Sequence, residues 1–201
     1  MNQPFNVYKI GLDDDLAILK DYCINQGRLM QMNRRDLLAK CGEASQWIGY
    51  IMKGCFKYIV HNDVEHKDFI TGFAFEGELV SDFPCCLDED VSEVSIVADI
   101  ACELYVISGE ELQALFDRDL EMTKMNVNIL KNLFKMVYSR FLDQYRLDAR
   151  GRYVRLLNRC PQVVQILSLK DIASFLNVHP NTISRIRREI TFENKDYNEP
   201  A

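Results

Sequence analysis

Residues 168–190, with the sequence SLKDIASFLNVHPNTISRIRREI, constrain the fold of this 201-residue chain more than any other segment. Apolar residues recur at helical spacing on both sides of Asn177, and Asn tolerates the left-handed backbone of a sharp corner. Ser168 can cap a first helix. Pro180 is favoured at the first position of a second helix, with His179 as its N-cap. The segment therefore predicts two short helices joined by a tight turn.

The second predicted helix has a polar and basic outer face. Its inner face is formed by Ile183 and Ile186, and the small Ala173 of the first helix allows a close crossing. The candidate DNA-contacting residues are His179, Asn181, Thr182, Ser184, Arg185 and Arg188, with Lys170 on the first helix. Arg pairs bidentately with guanine and Asn with adenine. A plain helical hairpin with a solvated face is the alternative, but the turn residue, Ala173 and the basic face favour a DNA-binding helix-turn-helix.

Charge is distributed unevenly, although the formal net charge is −6. Residues 140–192 contain 10 Lys and Arg against 4 Asp and Glu, whereas residues 1–139 contain 13 against 23. Salt screens charges over about 8–10 Å, so phosphate responds to the local balance. A basic C-terminal third can therefore bind DNA next to an acidic N-terminal region.

The N-terminal part combines one helix with many short strands. Residues 12–25 predict an amphipathic helix. The predicted strands are Trp47–Met52, Cys55–Val60, His66–Phe73, Val94–Ala98 and Glu103–Ile107. A tight turn with positive φ is expected at Gly54. Short strands separated by turn residues indicate a β-sandwich or barrel.

A heptad-like apolar stripe follows from about Gly109. Its members are Leu120, Val127, Leu130, Phe134, Val137 and Phe141, with Thr123 in the first open slot. Such a helix packs on its own domain or pairs with a second copy, and the length of the stripe favours a dimer. Residues 152–160 then predict a short amphipathic helix. Residues 162–167 (QVVQIL) are β-branched and predict one small strand.

The seven cysteines indicate reduced thiols, because their number is odd and no CxxC pair occurs. The N-terminus has no pattern of a secretion signal, and no apolar run approaches the roughly 20 residues of a membrane span. We therefore expect a cytoplasmic protein without a membrane partner. The adjacent Cys85 and Cys86 are interpreted as ordinary structural residues, with redox or metal sensing as the alternative.

From about residue 25 to 190 the sequence resembles the cyclic-AMP receptor protein / fumarate-nitrate regulator (Crp/Fnr) superfamily. The motifs that carry the resemblance are IASFLNVHPNTISRIRREI and EGELVSDFPCCL…VSIVADIACELYVIS. The resemblance implies an α+β fold: a cyclic-nucleotide-binding-like β-roll (double-stranded β-helix or jelly roll) at 1–117, a dimerisation helix at 118–147 and a winged helix-turn-helix at 148–201. The implied dimer contacts are Val127, Leu130, Phe134, Val137 and Phe141.

The same resemblance implies a homodimer on a near-palindromic double-stranded DNA site, with recognition helices about 34 Å apart. Positions 180, 181 and 185 would face base edges, and Pro180 would change the half-site because its side chain cannot donate a hydrogen bond. An unidentified small-molecule effector and RNA polymerase are the other implied partners.

The effector pocket implied by the resemblance is degenerate. The ribose pair of nucleotide-binding members falls at Ser81 and Asp82, and the phosphate pair falls at Ser92 and Glu93, so the cationic clamp is absent. A buried phosphate without a cation is costly, and a carboxylate repels it. Cyclic AMP is therefore not expected, and the pocket either takes another ligand or is a structural relic.

Metal and iron cofactors have little support in the sequence. Cys23, Cys41 and Cys55 are too dispersed to resemble the iron-sulfur cysteines of the superfamily, so a cluster is not expected. Haem ligation by one His or Cys stays open. His61 and His66 flank a predicted hairpin turn and are expected to be solvated.

The favoured function is a sequence-specific, ligand- or stress-responsive transcription regulator without catalytic or metal-binding residues. A cupin-like enzyme on the β-roll is one alternative, but it needs about three converging His or carboxylate ligands. The chain has three His, and one of them is His179. An effector-binding module that has lost DNA recognition is the other alternative. The intact polar face of residues 180–188 argues against it.

Overall fold

The computed structural model describes residues 14–83, 85–88 and 90–196, and the side chains among them except at 14 and 192–196. The chain divides into two compact units, of which the N-terminal one ends at Met136 and the C-terminal one begins at Val137. The boundary falls within one long helix. The two units are described in turn.

The N-terminal unit is a β-roll with helices on one side. Its helices before the long one are α1 (Asp14–Gln26), α2 (Cys85–Asp88) and α3 (Gly109–Asp117). Its strands are β1 (Arg28–Met32), β2 (Leu37–Ala39), β3 (Trp47–Lys53), β4 (Cys55–Asn62), β5 (Lys67–Phe75), β6 (Leu79–Ser81), β7 (Ser95–Ala98) and β8 (Cys102–Ser108). The five predicted strands are confirmed, with ends shifted by at most two residues. The N-terminal helix is confirmed from Asp14 onward, and residues 12 and 13 of the prediction lie outside the described residues. Gly54 has the expected positive φ, 112°.

Two antiparallel four-stranded sheets form the roll. One has the strand order β1-β8-β3-β6 and the other β2-β7-β4-β5. Alternating residues of the first sheet point to opposite faces. The inner face, with Ile51 and Leu104, packs against Phe56 and Ile96 of the second sheet. The outer face, with Ile48 and Ile107, packs against the helices.

A close backbone contact joins α2 to the start of α3. Ser108 caps α3 in a complete capping box with Glu111. A Cβ atom at Gly109 would lie 1.5 Å from the carbonyl oxygen of Cys86. Only glycine permits this approach, which holds the segment between β6 and β7 against the end of β8.

The long helix α4 (Leu120–Arg146) has 27 residues and runs from the N-terminal unit into the C-terminal one. The C-terminal unit continues with α5 (Ala149–Arg159), α6 (Val163–Ile166), α7 (Leu169–Phe175) and α8 (Pro180–Asp196). Its buried apolar side chains include Tyr153, Leu156, Val163, Leu167, Ile172 and Ile183. No helix in the described part of the chain combines the length and apolar character of a membrane span.

The small strand predicted at 162–167 is wrong, because this segment forms the helical turn α6. The Leu167 N–H donates to the Val163 carbonyl, which places the two residues one helical turn apart. Both side chains are buried. Local bonds satisfy the backbone where no neighbouring strand is available. The short helix predicted at 152–160 is confirmed as α5, which begins three residues earlier at Ala149 and so contains Gly151. Within residues 109–196 no strand is present, so the wing implied by the resemblance is not found in that part.

Candidate nucleic-acid interface

The first helix of the helix-turn-helix is α7, and Ser168 caps it as predicted. The Ser168 hydroxyl accepts a hydrogen bond from the Asp171 N–H (3.1 Å) and donates one to the Asp171 carboxylate (2.8 Å). Ile172 and Ala173 are buried. The cap and this buried face fix the start and the orientation of α7 within the unit.

The turn between the helices depends on Asn177, whose φ of 51° confirms the predicted left-handed conformation. The Val178 N–H donates to the Ala173 carbonyl at 3.0 Å, and the Asn177 N–H donates to the Ser174 carbonyl at 3.0 Å. These bonds satisfy carbonyls at the end of α7, so the chain reverses without losing backbone hydrogen bonds.

The second helix, α8, begins at Pro180, as predicted. The Asn181 N–H donates to the Nδ1 atom of His179 at 3.2 Å, which confirms His179 as the N-cap. Ile183 and Ile186 are 0% and 3% exposed. They hold α8 against the rest of the unit and so determine which face points to solvent.

Most of the predicted contact residues lie on the exposed face of α8. Asn181, Ser184, Arg185 and Arg188 are exposed and follow each other at spacings of three, one and three residues, which places them on one side of the helix. Thr182 is half-buried, and the exposed Lys170 lies in the first turn of α7.

Two side chains on the exposed face of α8 make contacts within the same helix. The Ser184 hydroxyl donates to the Pro180 carbonyl at 3.4 Å. The Arg185 Nε lies 3.7 Å from the Glu189 carboxylate, and the Arg185 side chain is 73% exposed. Exposed ion pairs contribute little to stability, so this contact leaves Arg185 able to exchange Glu189 for another acceptor.

Arginines connect the helix-turn-helix to the rest of the C-terminal unit. The Arg152 guanidinium donates to the Leu147 carbonyl at 2.9 Å and to the Leu176 carbonyl at 3.3 Å. Arg155 donates to the buried Asp143 carboxylate at 2.7 Å. These contacts fix α5 relative to the turn that precedes α8 and to the end of α4. Part of the basic charge counted in the sequence is therefore structural.

Helix α4 has one buried apolar stripe and one exposed apolar stripe. Met122, Met125 and Ile129 are buried in the N-terminal unit. The predicted dimer contacts are exposed: Val127 by 43%, Leu130 by 42%, Phe134 by 69%, Val137 by 58% and Phe141 by 51%. The sequence stripe thus does not belong to the core of its own chain.

Two aromatic residues on the exposed side of α4 were missed in the sequence. Tyr138 and Tyr145 are 51% and 75% exposed, and the Tyr145 ring meets the Phe141 ring edge-on with centroids 5.3 Å apart. Tyr138 lies four residues after Phe134, and Tyr145 lies four residues after Phe141; both phenylalanines are predicted dimer contacts. Extending the search to i+4 neighbours would have found them.

The four residues of the predicted degenerate pocket have different environments. Ser81 ends β6, and Asp82 follows it. Ser92 is buried, and its hydroxyl donates to the Val94 carbonyl (2.6 Å) and accepts from the Val94 N–H (3.2 Å). Glu93 is exposed. None of the four offers a cation, and Ser92 uses its hydroxyl within its own turn.

The adjacent cysteines lie in α2 and have raised pKa values. Burial raises the pKa of the Cys86 thiol to about 11, and burial together with the Asp82 carboxylate raises the pKa of Cys85. Reactive cysteines need a lowered pKa, so these thiols resemble structural ones. Within the described residues, no group of three or more His, Cys, Asp and Glu is placed to hold a metal ion.

The dispersed cysteines and the hairpin histidines do not converge. Cys23 is buried in α1, Cys41 is exposed before β3, and Cys55 is buried at the start of β4. Burial raises the pKa of Cys23 to about 12. The exposed His61 ring contacts the Asp68 carboxylate at 2.8 Å across the β4–β5 hairpin. His66 is an exposed turn residue with a φ of 47°.

Curated proteins with a similar sequence are CRP-like proteins. No family model matches the chain. The CRP-like protein Clp of Xanthomonas campestris is 24% identical over 154 residues, which cover 77% of this chain and 65% of that protein. Clp of Xanthomonas axonopodis is 26% identical over 151 residues, with coverages of 72% and 64%. The chain thus spans slightly less than two thirds of the length of these relatives.

Solved structures with the same fold come from several bacteria. FixK2 from Bradyrhizobium japonicum superposes with a TM-score of 0.69 at 13% identity, over 84% of this chain and 86% of that chain. Clp from Xanthomonas campestris gives 0.59 at 18% identity, over 89% and 93%. A protein assigned to the Crp/Fnr family from Eubacterium rectale gives 0.61 at 15% identity, over 92% and 88%. The resemblance found in the sequence is therefore confirmed, and the chain has the α+β fold of the Crp/Fnr superfamily of transcription regulators.

Proposed function

We propose that this protein is a sequence-specific transcription regulator that binds double-stranded DNA as a homodimer. The observation that carries the proposal is the outer face of α8, where Asn181, Arg185 and Arg188 are exposed while Ile183 and Ile186 anchor the opposite side. An exposed helix with amide and guanidinium groups fits the major groove. RNA polymerase would be the further partner of such a regulator, and no catalytic role is proposed.

The dimer is supported by the exposed stripe on α4. Five large apolar residues at heptad-like spacing, each more than 40% exposed, form an apolar surface unusual on a monomer. A second copy of the same helix matches this spacing in a coiled-coil seam. Two copies of α8 would then bind two half-sites of one duplex. Because the copies are linked, the dimer would bind more tightly than either copy alone.

A cyclic nucleotide is not proposed as the effector. The regulator Clp of Xanthomonas campestris is described as responsive to cyclic di-GMP. In this chain Ser92 uses its hydroxyl locally, Glu93 is acidic, and no cation occupies the four pocket positions. A phosphate there would be desolvated next to carboxylates, which is unfavourable.

Replacing Arg185 with Ala tests the proposed reading of bases. We expect specific affinity to fall by about 1–3 kcal/mol, with relaxed selectivity at one base pair, because a bidentate contact to guanine would be lost. The measurement is a titration against duplexes that differ at single base pairs. Lys170→Ala is the matched control: a phosphate contact would reduce binding to all these duplexes equally and lower the salt slope by about 1. A loss for Arg185→Ala that is equal on all these duplexes would show that Arg185 contacts phosphate.

Replacing Glu189 with Gln tests the electrostatics of α8. Glu189 competes with DNA for Arg185 and would repel the phosphates near the helix. We expect affinity to rise by about 0.5 kcal/mol on specific and nonspecific duplexes alike, the scale of an exposed ion pair. The gain should shrink at high salt, which screens the charge. Unchanged affinity at low salt would place Glu189 away from the bound DNA.

A further inference from the structure

The side chain of Tyr58 crosses the interior of the β-roll. Its hydroxyl donates to the Ser81 carbonyl at 3.1 Å and lies 3.4 Å from the Ser81 N–H, which donates to it. Tyr58 belongs to β4 and Ser81 to β6, and these strands are in different sheets. The phenol therefore spans from one sheet to the edge strand of the other.

The residue paired with Tyr58 across the strands leaves space for the Tyr58 ring. Gly72 is its partner across the β4–β5 pair, and a Cβ atom there would lie 3.2 Å from the Tyr58 ring. The bare backbone of Gly72 leaves room for the ring to lie across it. The rest of Tyr58 packs against the apolar cluster between the sheets, which includes Phe56 and Ile96. An aromatic ring with one hydrogen-bonding end thus fills this part of the roll.

The surroundings favour an uncharged group at this place. Asp82, the next residue after Ser81, has a buried carboxylate oxygen, Oδ2, for which the described residues provide no hydrogen-bond donor. A buried carboxylate one residue along the chain from the phenol's partner adds to the cost of burying an anion at Ser81. A neutral phenol bound through the main chain of Ser81 avoids this cost.

We infer that Tyr58 is an internal ligand: its phenol occupies the cavity between the sheets in place of a small-molecule effector and ties β6 to β4. Ser81, one of the degenerate pocket positions, thereby holds a side chain of the same protein. One part of this inference rests on the proposed function: if the phenol fills this space, DNA binding needs no small molecule there. Occupation of the cavity can be tested without DNA.

Chemical rescue of a Tyr58→Ala variant of the full chain tests the inference. Removing the ring should lower the Tm by about 10 °C, because a half-buried aromatic side chain that packs against the core is lost and a cavity remains. Addition of p-cresol, the free equivalent of the tyrosine side chain, should raise the Tm of the variant by about 3 °C at ten times its Kd. Toluene has the same ring and methyl group without the hydroxyl, so it should stabilise the variant less.

Matched controls separate the phenol site from any apolar cavity. Phe56→Ala removes another aromatic side chain of β4 from the same apolar cluster, one that carries no hydroxyl. Toluene should therefore stabilise this variant at least as well as p-cresol. Tyr58→Phe keeps the ring and should lower the Tm by only about 3 °C, the effect of losing the hydroxyl's contacts with the Ser81 main chain. If Tyr58→Ala does not fold, Tyr58→Phe carries the test, and an unchanged Tm would overturn the role of the hydroxyl.

Two further results would overturn the inference. One is an equal response of Tyr58→Ala to toluene and p-cresol. The other is a rise in the Tm of the unaltered protein on addition of cyclic AMP or cyclic di-GMP that Tyr58→Ala abolishes, because a ligand would then share the cavity with Tyr58. Neither result depends on DNA binding, so the proposed regulator function would stand or fall separately.

Discussion

A Phe134→Asp variant is expected to sediment as a monomer and to lose at least about 100-fold in affinity for a two-half-site duplex. Phe134 is 69% exposed on α4, in the middle of the stripe that would form the seam with a second copy. A carboxylate there would be buried against apolar side chains without a partner, which costs more than the lost contact. Sedimentation velocity and DNA titration at one protein concentration give the two results.

Lys135→Asp is the matched control for this variant. Lys135 is the next residue on the same helix and is exposed, but it lies off the apolar stripe. It should remain a dimer and keep most of its affinity, with a loss that disappears as salt increases. An unchanged dimer in Phe134→Asp would show that the stripe on α4 is not the dimer seam.

Gly109→Ala is expected to destabilise the N-terminal unit by about 3 kcal/mol or more, beyond the usual cost of overpacking. The added methyl group would lie 1.5 Å from the Cys86 carbonyl oxygen, which is backbone and cannot rotate away. Either α2 or the start of α3 must move. Denaturant unfolding followed by the fluorescence of Trp47, which packs against the roll core, reports on this unit.

Glu110→Ala is the control for this substitution. Glu110 is exposed in the first turn of α3 and adjoins Gly109, so its replacement should change the free energy of unfolding by no more than about 0.5 kcal/mol. A Gly109→Ala protein as stable as the Glu110→Ala protein would mean that α2 does not rest on α3. The environment described for Cys85 and Cys86 would then be wrong as well.

The parts predicted well from the sequence are those that local chemistry specifies. Ser168, Asn177 and Pro180 each act on their own backbone or on groups within a few residues, so their types indicate the helix ends directly. The longer strands of the roll were found because apolar alternation reflects a buried face. The exposed stripe on α4 was visible because its apolar residues recur at spacings of three and four residues.

Most of the parts that were missed depend on distant partners, and one depends on its own local hydrogen bonds. The strands β1, β2 and β6 were not predicted, and each is created by pairing with a strand far along the chain. The segment 162–167 has strand propensity, but helical bonds within the segment override it. Tyr58 carries no local sign of its role, since its partner Ser81 lies 23 residues away in another sheet.

Selection of random duplex DNA on the purified, unaltered protein tests the central claim most directly. The account predicts enrichment of an inverted repeat whose half-sites are about one helical turn apart, without any added small molecule. Affinity for that repeat should exceed nonspecific affinity by at least about 1,000-fold at physiological salt. Recovery of unenriched sequences, with only weak binding that vanishes as salt rises, would contradict a sequence-specific dimeric regulator.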